Sequence, residues 1–80
     1  MGFAKSEQEL AERVARHLKA ELKRAGITYE ELAQRLKKHG LPDETVDSIK
    51  AKLKRGTFAA TFFLATVAAI GLDAVQLEDV

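Results

Sequence analysis

Large apolar residues in the first third of the chain recur with the spacing of an α-helix. Between Ser6 and Ala25 they fall at every fourth position, and mostly charged residues and alanines lie between them. These residues are Leu10, Val14, Leu18 and Leu22. Because residues three and four apart lie on one face of a helix, the spacing predicts a helix over residues 7–25 with these side chains buried.

Two helix starts carry the spacing of a capping box, in which a hydroxyl and a Glu three residues later bind each other's backbone N–H groups. The first pair is Ser6 and Glu9, at the start of the first helix. The second pair, Thr28 and Glu31, predicts a second helix over residues 29–39.

A third, shorter helix is predicted over residues 46–55. Val46, Ile49 and Leu53 follow the i, i+3, i+7 rule and form a narrow apolar seam. Thr45 is the expected cap, with Asp43 as the alternative.

The stretch from Phe58 to Ile70 contains no charged residue and predicts a fourth helix over residues 59–70. A helix that is apolar on all sides is expected to be buried on all sides. As a helix, the 13 residues from Phe58 to Ile70 would span about 20 Å, which is short for the roughly 30 Å core of a bilayer. We therefore expect the central helix of a small soluble domain, with one aromatic face left over for a partner.

The C-terminal residues alternate weakly between apolar and polar, which predicts a short strand or an extended tail. An isolated strand is not stable, so the tail would lie on the core or pair with a second copy. The surplus face of the fourth helix and this tail predict a homodimer interface formed by Phe58, Phe62, Val75 and Leu77.

Composition indicates one small domain over residues 1–80, without cysteine and therefore without disulfides or thiolate metal sites. The first residues lack the apolar run of a signal peptide, so we expect a cytoplasmic protein. His17 and His39 have no second ligand at helical spacing. We expect no metal, no cofactor and no enzymatic activity.

Charge is distributed unevenly along the chain. Residues 35–56 hold seven bases and three acids, whereas residues 57–80 hold three acids and no base. Such asymmetry indicates an anionic partner on one face, and the alternative is an ordinary solvated helix surface.

The second and third predicted helices have the form of a helix-turn-helix, with the small Ala33 where the helices approach each other. An ordinary pair of antiparallel helices is the alternative. In a helix-turn-helix the second helix enters the major groove of DNA, with its first residues near the base edges. Phosphate anchoring is predicted for Lys37, Lys38, Lys52, Lys54 and Arg55, and base reading for Asp47, Ser48 and Ala51 beside Thr45.

Three segments carry a resemblance to known proteins: LKAELKRAGITYEELA (18–33), IKAKLKRG (49–56) and FAATFFL (58–64). Over roughly residues 12–79 the chain resembles a family of small bacterial proteins described only as a domain of unknown function. More distantly, it is similar to the phage-repressor and Cro helix-turn-helix superfamily. The resemblance implies a compact, all-helical, repressor-like fold and sequence-specific DNA binding.

We therefore predict an all-α, four-helix, repressor-like helix-turn-helix domain with a short extended or strand-like tail. Its expected partner is double-stranded DNA, bound as a homodimer in transcription regulation, with no membrane association. The alternative is a module of the same fold that binds a regulatory protein.

Overall fold

Four α-helices follow one another in the computed structural model, which describes residues 5–80. They are α1 (Glu7–Ala25), α2 (Tyr29–Lys37), α3 (Val46–Arg55) and α4 (Ala60–Ile70). The predicted all-α fold is confirmed, with α2 ending two residues earlier than expected and α4 beginning one residue later. Residues 1–4 of the predicted domain lie outside the described part of the chain.

The C-terminal tail forms no strand within the described residues, so the strand alternative was wrong. It instead ends in a single 3₁₀ turn, Leu77–Asp79. A strand needs a neighbouring strand for its hydrogen bonds, and this all-helical chain offers none.

The first two helices begin at the predicted hydroxyls, but each forms only one half of the expected capping box. The Ser6 hydroxyl accepts a hydrogen bond from the Glu9 N–H at 3.2 Å, and Thr28 accepts one from the Glu31 N–H at 3.1 Å. The Glu9 carboxylate binds the N–H of Lys5, one residue before the cap, at 3.0 Å. Both helices are therefore capped by a side-chain oxygen, as predicted.

The hydrophobic core lies where the two halves of the chain meet. The backbones of α1 and α2 each pack against both α3 and α4, and these four helix pairs make the extensive backbone contacts of the fold. The largest fully buried side chains come from all four helices: Leu18, Leu22, Leu32, Leu36, Ile49, Leu53, Phe62 and Thr66.

The predicted apolar face of α1 is buried only in part. Leu18 and Leu22 are buried, but Leu10 is 51% exposed. At the start of α1 the small side chains of Ala11 and Ala15 are buried instead. Ala11 packs against the end of α3 at Gly56, which is also buried. This close approach places Leu10 at the edge of the core.

The rotation of α4 differs from the prediction. Phe62 is 2% exposed and belongs to the core, so it is not part of a surplus aromatic face. On the opposite side of α4, Leu64 is 66% exposed, and Thr61 and Ala68 are also exposed. A helix with no polar side has no pattern that fixes which of its faces turns inward. The helix is therefore buried on most sides but not on all.

No single helix in the described part of the chain is long and apolar enough to cross a membrane. By length and composition alone, α3 and α4 pass that test only as a pair, and the chain bends by 114° between them.

Candidate nucleic-acid interface

The outward side of α3 is formed by five exposed residues: Asp47, Lys50, Ala51, Lys54 and Arg55. On the inner side Ile49 and Leu53 are buried in the core, as the predicted seam requires. We call the five exposed residues the α3 outer face. It carries three bases and one acid around a small alanine.

The start of α3 is held by a complete capping box, which the sequence pattern did not reveal. The Thr45 hydroxyl accepts a hydrogen bond from the Ser48 N–H at 3.1 Å, and the Ser48 hydroxyl accepts one from the Thr45 N–H at 2.8 Å. The Ser48 oxygen also lies 2.6 Å from Glu44 Oε1, to which it can donate its proton. Thr45 and Ser48, both predicted near base edges, therefore serve the helix terminus in this structure.

Lys52, predicted to bind phosphate, is turned away from the α3 outer face. Its ammonium nitrogen donates to both carboxylate oxygens of Glu44, at 2.9 and 2.7 Å. The same nitrogen lies 5.3 Å from the centre of the Phe62 ring, within range of a cation–π interaction. Lys52 therefore has its charge balanced inside the domain.

The Glu44 carboxylate, only 12% exposed, sits at the centre of this cluster. Burial acts to raise its pKa, but the hydrogen bonds from Lys52 and Ser48 and the positive charge of Lys52 outweigh burial. The pKa of Glu44 therefore lies below its ordinary value of 4.5. Glu44 is ionised at neutral pH and joins the connector before α3 to the middle of that helix.

Arg35 is a second base of the predicted cationic region that binds within the protein. It donates a hydrogen bond to the backbone carbonyl of Ala69 at 2.9 Å and another to Glu31 at 3.2 Å. The hydrogen bond to Ala69 satisfies a carbonyl in the last turn of α4, a turn that contains no basic residue of its own. Arg35 thus links α2 to the C-terminal end of α4.

Five bases of residues 35–56 remain exposed, and none of them forms an ion pair within the described residues: Lys37, Lys38, Lys50, Lys54 and Arg55. Arg55 also donates to the Thr57 carbonyl at 2.9 Å. Lys50 was absent from the predicted set because it lies next to the apolar seam in the helical projection. In the structure Lys50 is exposed, and Val46 beside it is only half-buried.

The residues predicted to form a dimer interface are not brought together on one free surface. Phe58 is half-buried and stacks edge-on against Phe62, with ring centres 5.0 Å apart. Val75 is half-buried against the core, whereas Leu77 is 74% exposed. Phe62 is inaccessible to a second copy, so any interface must use other side chains.

In residues 5–80, no group of three or more His, Cys, Asp and Glu side chains is placed to hold a metal ion.

The family described as domain of unknown function (DUF6471) matches residues 10–75, a span that includes all of α2, α3 and α4. The chain belongs to the DUF6471 family. A search of curated proteins and a search of solved structures each gave no match. The predicted membership of a family of unknown function is confirmed for this DUF6471 domain, and the similarity to phage repressors stays a prediction.

Proposed function

We propose that this domain binds double-stranded DNA as a helix-turn-helix protein, with α2 and α3 as the two helices of the motif. The observation that carries the proposal is the charge of the α3 outer face. Lys50, Lys54 and Arg55 are exposed there without an acidic partner in the described residues, whereas Lys52 and Arg35 each pair with a glutamate of the domain. Exposed, unpaired bases along one short helix match the negative charge of a phosphate backbone.

The residues around these basic side chains are suited to contacts with the edges of nucleobases in the major groove. Ala51 is small and exposed at the middle of the α3 outer face, so it allows close approach and can contact a thymine methyl group. Asp47 repels phosphate but can accept a hydrogen bond from the amino group of cytosine. In this proposal the basic side chains fix the position of α3 on the DNA, and Asp47 and Ala51 supply its sequence preference.

The phosphate contacts set the expected salt dependence. If all five exposed bases of residues 35–56 bind phosphates, log K should fall with log salt with a slope of about −4 to −5. Lys37 and Lys38, at the C-terminal end of α2, would account for two of these contacts.

The test is a salt titration of binding to a random-sequence duplex. Lys54→Ala and Arg55→Ala should each reduce the slope by about one. The matched control is Arg24→Ala, which removes an exposed basic residue of α1 that is paired with Glu21 and lies outside the α3 outer face. Wild-type protein that shows no binding at low salt would refute DNA binding.

Binding of a regulatory protein is a second candidate, and the exposed face of α4 favours it. Leu64 lies there between Thr61 and Ala68, so this face presents an apolar side chain to a partner without a charged neighbour on its own helix. The predicted homodimer could use the same face. Sedimentation equilibrium of wild type and Leu64→Asp would test it, since an exposed position tolerates the change without unfolding.

A further inference from the structure

An open groove of about 680 Å³ runs between α1 and the C-terminal end of α3. Four bases line it: Arg16 and Lys19 from α1, and Lys54 and Arg55 from α3. Arg16 and Lys19 are three residues apart, so they project from the same side of α1. The groove therefore brings Arg16 and Lys19 of α1 close to Lys54 and Arg55, two basic residues of the α3 outer face.

The two α1 bases are available to a ligand. Arg16 and Lys19 are both exposed, and neither forms an ion pair in the part of the chain that the structure describes. Glu12 precedes Arg16 by four residues, a spacing that permits a salt bridge on a helix, yet the two side chains do not pair here. Glu7 and Glu12 also line the groove, which leaves it with a net charge of +2.

The form of the groove indicates what kind of ligand it takes. Sites for small molecules are enclosed and carry few charged groups, whereas this groove is open and six of its eleven lining residues are charged. Rows of bases on two walls are suited to an extended polyanion, whose phosphates can follow the groove. Because Lys54 belongs both to the groove and to the α3 outer face, a duplex bound at α3 would bring its backbone to this groove.

We infer that α1 supplies a second phosphate-binding wall, in which Arg16 and Lys19 bind the backbone of the duplex that α3 contacts. This inference rests on the proposed function. The α1 wall would fix the angle at which α3 lies on the DNA, because contacts on two helices constrain orientation more than contacts on one. Glu12 opposes the binding, since its carboxylate faces the same groove.

The experiment compares Arg16→Ala and Lys19→Ala with the control Arg24→Ala in salt titrations with a random duplex. Each of the first two variants should reduce the slope of log K against log salt by about one, and the control should leave it unchanged. Glu12→Gln should strengthen binding at low salt by about two- to fivefold, because it removes a surface repulsion. Thermal unfolding followed by circular dichroism confirms that each variant keeps its fold.

The outcomes separate the inference from the proposed function. If Lys54→Ala and Arg55→Ala reduce the slope while Arg16→Ala and Lys19→Ala behave like Arg24→Ala, the α1 wall is refuted and DNA binding by α3 stands. If Glu12→Gln binds no more tightly than wild type, phosphates do not pass beside Glu12 and the placement in the groove is wrong. Absence of duplex binding by the wild-type protein would overturn both.

Discussion

Replacement of Gly56 by alanine should weaken the fold more than the same change at any other glycine of the described chain. Gly56 ends α3 with φ of 73°, and a Cβ atom added there would lie 2.3 Å from the carbonyl oxygen of Ala11. It would also lie 2.7 Å from the carbonyl carbon and 2.8 Å from the Cβ of Ala11. The obstacle is mainly helix backbone, which cannot turn aside as a flexible side chain can.

Two separate penalties add at this position. The left-handed conformation disfavours alanine by about 1–2 kcal/mol relative to glycine. Overpacking, with a forced shift of α1 away from α3, contributes about 1–3 kcal/mol more. The sum of about 2–5 kcal/mol is a large part of the roughly 4–12 kcal/mol expected for the stability of an 80-residue domain.

Gly26→Ala is the matched control because Gly26 has nearly the same backbone conformation, with φ of 72°, and no atom within 4 Å of an added Cβ. It should show the conformational penalty alone. Urea unfolding followed by circular dichroism gives both free energies, and their difference isolates the contact with Ala11. We expect Gly56→Ala to be less stable than Gly26→Ala by about 1–3 kcal/mol, or at least about 4 °C in Tm for a domain of this size.

Equal destabilisation by the two variants would refute the reasoning. It would mean that α1 yields at Ala11 without loss of packing, and that the close approach of the two helices contributes little to the fold. If Gly56→Ala is unfolded at all temperatures while Gly26→Ala folds, the contact with Ala11 is essential to the fold, as a large difference in Tm would also indicate.

Three further changes test the interior contacts. Glu44→Gln should lower stability at pH 7 by about 1–3 kcal/mol. The pKa of Glu44 is below 4.5 in the folded state, so its contribution is present above pH 4.5 and is lost as the pH falls through the folded pKa. The urea midpoints of wild type and variant should therefore converge once the pH is below the folded pKa of Glu44. Thr66→Val should raise stability by about 1 kcal/mol, because the buried Thr66 hydroxyl has no hydrogen-bond partner within the described residues. Thermal unfolding should therefore give a higher Tm, and a lower Tm would show that the hydroxyl is hydrogen-bonded. Arg35→Met should lower the urea midpoint by the equivalent of about 1–2 kcal/mol through loss of its bond to the Ala69 carbonyl, and should leave the salt dependence of DNA binding unchanged.

Helix starts were predictable because a cap is a local device. The hydroxyls of Ser6, Thr28 and Thr45 each bind a backbone N–H three residues later, so a few neighbouring residues decide the outcome. The apolar seam of α3 was predictable for a similar reason, since its polar residues leave only one face to bury.

The rotation of α4 could not be predicted from its own residues. Phe62 and Leu64 are both large and apolar, and only the space between the other helices decides that Phe62 turns inward. The roles of the bases were equally hidden. Lys52 is one of several lysines in α3, and its partner Glu44 lies in the connector, outside any helical spacing rule. Charge counts predicted a cationic region, but only tertiary contacts show which of its bases remain free.

The pairing of helices across the middle of the chain has a consequence for synthesis. Every extensive backbone contact between helices joins α1 or α2 to α3 or α4, so the first forty residues have little to pack against while the ribosome is still making the rest. The nascent N-terminal half must therefore emerge with its leucines uncovered and wait for α4 to leave the exit tunnel. Separate halves should be unstructured alone and should gain helix only when they are mixed.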